Sequence, residues 1–182
     1  DGFFGPGTGS FFVLSFIIIK GINIMEATAV TKLLNFSSNF GKPAKYPMLK
    51  PHKDFKDIYV IERKKTDTGK SFGEGPHTDS SYLENPPRFT FLQAIEVPDE
   101  GKGNNLFYNQ FLAYEALPKD IKQKIENLKG VFSSQGKIAQ TRKLRMADHG
   151  TSGTKEIKSE HNLVQLINGR RTIYCSPGHI IG

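Results

Sequence analysis

Gly75-Pro76-His77-Thr78-Asp79-Ser80-Ser81-Tyr82 sets an imidazole and a carboxylate two residues apart. In an extended chain, residues i and i+2 project to the same face. His77 and Asp79 can then offer a ring nitrogen and a carboxylate oxygen to one cation, while Thr78 points away. Two histidines and one carboxylate on one face of an octahedron form the non-haem iron(II) site, which leaves positions open for substrates and oxygen. The spacing alone is a weak signal, because a His–Asp turn pair satisfies it equally well.

The elements around this segment read as β-rich. Ile58-Tyr-Val-Ile61 is a short strand, and Phe89 to Val97 is a longer one closed by Pro98. Pro118 opens a helix in which Ile121, Ile125 and Leu128 share a face and Gly130 is the stop. Residues 135–160 are polar and basic with little periodicity, which predicts a long loop. Asn162 to Ile167, Asn168-Gly169 and Arg170 to Cys175 predict a hairpin with a type I′ turn. His52 and His149 carry no motif and are expected to be solvated, as are Glu74 and Arg88.

The chain has 182 residues, enough for about one domain, and its 11% aromatic content argues against disorder. One cysteine, Cys175, excludes a disulfide framework. The formal charge of +7 lies on residues 42–182, since Asp1, Glu26, Lys20 and Lys32 cancel in the first 41. The lysines are scattered and no arginine-rich stripe stands out, so nucleic-acid binding is not expected. A solvated surface, or a pocket for an anionic substrate, explains the charge. Residues 2–10 are broken by Gly2, Gly5, Gly7, Gly9 and Pro6. The apolar run from Phe11 to Ile19 is too short for a bilayer, which needs about 20 residues. Without a basic flank it is also no signal peptide. It predicts a buried strand or a short core helix, followed by a helix from Glu26 to Phe40 that Gly41 stops.

Beyond the metal motif, Gly41-Lys-Pro43, Tyr46-Pro47, Pro86-Pro87, Leu92 to Pro98, Leu106-Phe107, Ala113 to Pro118, His161, Gly169-Arg170, Tyr174 and Gly178-His179 follow in order. From about residue 41 to the end, this pattern resembles the taurine dioxygenase (TauD/TfdA-like) family of iron(II)- and 2-oxoglutarate-dependent oxygenases. The resemblance implies an α+β fold, an incomplete double-stranded β-helix (jelly-roll) with flanking helices. It implies His77 and Asp79 as metal ligands, Fe(II) as cofactor, and 2-oxoglutarate and O2 as cosubstrates. The implied reaction hydroxylates a small anionic substrate bearing a sulfonate or carboxylate and releases succinate and CO2. The third ligand, a distal histidine, and the arginine that pairs with 2-oxoglutarate are expected beyond Gly182, leaving His161 and His179 outside the ligand set. A chain lacking them is expected to be inactive by itself, and an open barrel to be marginally stable. Where the family has Gly-Gly-Asp-Thr, this chain has Gly101-Lys-Gly-Asn-Asn105, so Asn105 stands where a threonine touches the cosubstrate. Its amide can still donate a hydrogen bond. Tyr82 and Asn85 are the candidate substrate-pocket residues.

Asp1 to Ser10, Ala27 to Phe36 and Asn39-Phe-Gly41 resemble a different family, the TauE/SafE sulfite exporters. The expected organisation is therefore a permease-like segment at 1–41 and a dioxygenase-like domain at 42–182, joined on the shared Phe40-Gly41. Such a join is expected of a chimera. Its alternative reading is a non-catalytic remnant of a sulfite or organosulfur exporter. Membrane contact is confined to residues 1–41; otherwise a cytoplasmic protein is expected, with homo-oligomerisation left open.

Overall fold

A computed structural model describes residues 12–18, 24–63, 66–101, 103–141 and 155–182, with the backbone alone for 12–18 and 24–27. The fold is mixed α+β. It divides into two compact units, Asp1–Lys64 with Pro87–Glu96, and Lys65–Pro86 with Val97–Gly182.

In the first unit the apolar run forms a strand, β1 (Phe12–Ile18). It is followed by α1 (Ile24–Ser38), β2 (Lys42–Pro43), β3 (Ile58–Ile61) and β4 (Phe89–Ala94). β2, β3 and β4 all run parallel to β1. β4 pairs with residues 13–18 of β1, overlapping the registers of both β2 and β3, so β4 lies on one edge and β2 and β3 share the other. Parallel neighbours need a crossover, and α1 supplies it between β1 and β2. Val30 and Leu33 of α1 and Ile58 of β3 form the buried core, with Leu34, Phe55, Val60 and Phe91 against it. The rings of Phe40, Phe89 and Phe91 pack beside that core, with the exposed ring of Phe36 against them, at centroid separations of 5.1–5.6 Å between packed pairs. β4 ends at Ala94, short of the predicted Val97.

The second unit contains α2 (Gln110–Glu115), α3 (Lys119–Ile125), β5 (Lys129–Ser133), β6 (Lys158–Asn162), β7 (Val164–Ile167) and β8 (Arg170–Ile173). Asn109 caps α2, its Oδ1 accepting from the amides of Phe111 and Leu112. α3 starts after Pro118 as predicted. It ends at Ile125, however, and Gly130 lies within β5 rather than stopping the helix. A Cβ at Gly130 would come within 2.8 Å of the Leu163 and Ile180 side chains, so packing, not helix termination, requires glycine there. The predicted 135–160 loop is corrected at its far end, where β6 pairs antiparallel with β5. The β7–β8 hairpin forms on Asn168-Gly169, with φ of 49° and 76° as a type I′ turn demands. The other edge of β5 is covered by the chain end: Ser133 N–H donates to His179 O (2.8 Å) and Val131 N–H to Gly182 O (2.7 Å). Phe132, between these pairings, is fully buried.

The glycine-rich run at 2–10 and His149 lie outside the described residues. His52, expected to be solvated, has a side chain only 7% exposed. Among the described residues no helix is long and apolar enough to cross a membrane.

Ile58 is fully buried at the centre of the first unit's core. Ile58→Ala is expected to cost about 2–5 kcal/mol, read as a fall in the urea midpoint or outright loss of the transition. An unchanged midpoint would contradict this account of the core.

Candidate metal centre

His77 and Asp79 lie in an irregular loop of the second unit, not in the expected extended strand. Gly75 (φ 121°) precedes the pair and Ser80 (φ 53°) follows it. A left-handed conformation at a residue other than glycine costs about 1 kcal/mol. Ser80 is held there by burial and by Leu83 N–H donating to its carbonyl (2.9 Å). The turn brings the two side chains together. His77 Nε2 lies 3.1 Å from Asp79 Oδ1, with the side chains 25% and 39% exposed.

The other ring nitrogen, Nδ1, lies 2.8 Å from the carbonyl oxygen of Gly75 and so donates its proton there. That bond fixes the ring and presents Nε2 beside the carboxylate. A histidine that ligates a metal commonly has its second nitrogen tied down in this way. Both ring nitrogens face acceptors, so the imidazolium is favoured. The Asp79 hydrogen bond above all, helped by the Gly75 carbonyl, raises the His77 pKa above 6.5 against the opposing effect of desolvation.

A cation would take the place of the Nε2 proton. Adjacent donors in an octahedral site, each about 2.1 Å from the metal, lie about 3.0 Å apart. The observed 3.1 Å is compatible with that spacing and equally with a direct Nε2–H···Oδ1 hydrogen bond. Among the described residues no group of three or more His, Cys, Asp or Glu is placed to hold a metal, so the fit extends to two donors.

A second His-x-Asp, His52-Lys53-Asp54, shows that spacing alone does not make such a site. There Nδ1 accepts the Asp54 amide hydrogen (3.1 Å) and stands 4.0 Å from Asp54 Oδ2. The ring nitrogen is used to close a local turn, not aimed with the carboxylate at a shared point.

The loop that follows Asp79 is held by residues to which the sequence assigned no role. Ser159 Oγ donates to Ser81 O (3.0 Å). His161 Nε2 donates to Leu83 O (3.0 Å) and lies 2.9 Å from Ser159 Oγ. Both project from β6 on the same face, two residues apart, and that alternation was the available signal. His179 is buried, with its ring 5.0 Å from Tyr82 and 6.3 Å from His77. Tyr82 is fully buried against it, Asn85 is exposed, and Asn105 is exposed in the irregular segment ahead of α2.

The fold is mixed α+β, and a histidine and a carboxylate meet in a loop of its second unit. The profile of the taurine catabolism dioxygenase TauD, TfdA family matches residues 11–180. The chain belongs to that family of Fe(II)- and 2-oxoglutarate-dependent dioxygenases. It is 27% identical to pentalenolactone F synthase of Streptomyces avermitilis over 164 residues, covering 80% of this chain and 54% of that protein. It is 32% identical to a putative alpha-ketoglutarate-dependent sulfonate dioxygenase of Schizosaccharomyces pombe over 106 residues, covering 56% and 25%. A 41-residue stretch is 61% identical to the probable membrane transporter protein ORF9 of a Sinorhizobium species, covering 22% and 16%. The chain spans about half or less of the length of these curated relatives.

In the metal-free chain, Asp79→Asn is expected to lower the His77 titration midpoint towards 6.5, read by 15N NMR of the imidazole. The pair's contribution to stability is full below pH 6.5 and is lost as pH rises through the raised folded value. The variant should lose this pH dependence. An unmoved His77 midpoint would contradict the coupling.

Proposed function

We propose that the chain carries the metal-binding part of an Fe(II)- and 2-oxoglutarate-dependent dioxygenase that hydroxylates a small anionic organic substrate, sulfonate- or carboxylate-bearing, with release of succinate and CO2. The observation that carries this reading is the convergence of His77 Nε2 and Asp79 Oδ1 at 3.1 Å. Iron, when bound, supplies the redox chemistry that couples oxidative decarboxylation of the cosubstrate to hydroxylation. The chain's own residues hold and orient. Gly75 O keeps the His77 ring turned so that Nε2 faces the metal position, and Asp79 adds a negative charge beside it. Asn105 offers an amide donor to the 2-oxoglutarate carboxylate. Asn85, which is exposed, is the residue left free to meet the substrate in this reading, while Tyr82 is fully buried and would act only by packing. The basic balance of residues 42–182 suits an anionic substrate. The antiparallel β5–β6 and β7–β8 pairs of the second unit suit portions of a jelly-roll, whereas the parallel sheet of the first unit departs from the antiparallel pairing a jelly-roll uses. The S. pombe relative, described as a sulfonate dioxygenase, favours a sulfonate.

The transporter-like stretch favours a second reading, a non-catalytic chimera or exporter remnant. That protein would partition into membranes and bind no ferrous ion.

With Fe(II) and oxygen, the protein containing this chain is expected to convert 2-oxoglutarate to succinate. His77→Ala and Asp79→Ala should each reduce turnover by about 100-fold or more, since loss of even an outer-shell partner costs about 10–100-fold. Unchanged turnover in both variants would overturn the assignment.

A further inference from the structure

The peptide between the two donors is gripped by a turn distant in sequence. Thr78 N–H donates to Ser176 Oγ at 2.9 Å, and Ser176 is 1% exposed. Two residues earlier in the loop, Pro76 O accepts from Gly178 N–H (3.1 Å). The loop is therefore bonded on both sides of His77 to one short segment, Ser176-Pro177-Gly178. That segment is itself fixed. Ser176 O accepts from the amides of His179 (2.9 Å) and Ile180 (2.8 Å), and Gly178 O accepts from Ile138 N–H (2.9 Å). It also lies close to the ligand. A Cβ on Gly178 would sit 3.0 Å from His77 Cβ, 3.0 Å from Ile138 Cβ and 3.2 Å from Pro76 O.

We propose that Ser176 is a positioning residue for the metal motif, its buried hydroxyl holding the Thr78 peptide so that His77 and Asp79 stay on one side. This rests on the reading of His77 and Asp79 as metal ligands. The Thr78 N–H belongs to the His77–Thr78 peptide, one of the two planes that link the donor-bearing residues. Rotation of that plane swings one side chain away from the other, and the 3.1 Å separation is lost. Two donors in a loop, rather than in a strand ladder, need such an outside hold. A shift of about 1 Å in a functional constellation is enough to impair it. Gly178 completes the device by letting the turn approach the His77 backbone without a side chain between them.

The test uses cobalt(II) as a spectroscopic probe of the protein containing this chain, with amide hydrogen exchange as a metal-independent readout. Ser176→Ala is expected to speed exchange at the Thr78 amide at least tenfold while the β7–β8 hairpin amides keep their protection. It should weaken cobalt(II) affinity about tenfold. Ser176→Thr, which keeps the hydroxyl, should restore both. Gly178→Ala should weaken cobalt(II) by crowding His77, which provides a second route if Ser176→Ala does not fold. Parent-level affinity in both Ser176→Ala and Gly178→Ala, with His77→Ala still losing the metal, would overturn the positioning role alone. Cobalt(II) binding that is indifferent to His77→Ala and Asp79→Ala would overturn the ligand assignment and the positioning role with it.

Discussion

The proposed function of this chain depends on one contact, between an imidazole nitrogen and a carboxylate oxygen 3.1 Å apart. Keeping two such groups together in a part-exposed loop is not free. Without a metal the Asp79 hydrogen bond, helped by the Gly75 carbonyl, raises the His77 pKa against desolvation. With a metal the same separation serves two bonds in place of one proton. In the proposed site a proton and a cation would compete for one geometry, which the loop's hydrogen bonds maintain.

The maintenance is done by backbone hydrogen bonding more than by hydrophobic burial. Gly75 O orients the ring, and Ser176 and Gly178 hold the peptides on either side of His77. Ser159 and His161 hold the carbonyls of Ser81 and Leu83. These partners come from β6 and from the segment after β8, 78 and 98 positions away for the side-chain bonds, so the loop is fixed by long-range contacts. The strained φ at Ser80 persists for the same reason, because its surroundings leave it no alternative.

Features with a local cause were legible in the sequence. Asn168-Gly169 demands positive φ at both positions, and the hairpin forms there. The Glu26–Phe40 periodicity gave α1, and the apolar run gave β1. Features with a non-local cause were not legible. β6, Lys-Ser-Glu-His-Asn, has no apolar alternation, and its inward residues are polar because they bind loop carbonyls rather than fill a core. Gly130 resembled a helix stop, yet its reason lies in the side chains of Leu163 and Ile180. The His77–Asp79 pairing was anticipated, but from an extended chain. A turn delivers it instead, and the same spacing at His52 and Asp54 leads elsewhere. Sequence spacing therefore nominates such a site, and loop geometry decides it.

The transporter-like resemblance and the family match bear on overlapping residues. The family match begins at residue 11, and β1 pairs with β3 and β4 as part of one sheet. That sheet belongs to the first unit, while both donors belong to the second. The most direct test of the central claim is an anomalous-difference map at the iron edge from crystals grown anaerobically with ferrous ion. The account predicts a peak about 2.1 Å from both His77 Nε2 and Asp79 Oδ1. A peak elsewhere, or a carboxylate turned away from the imidazole, would contradict it.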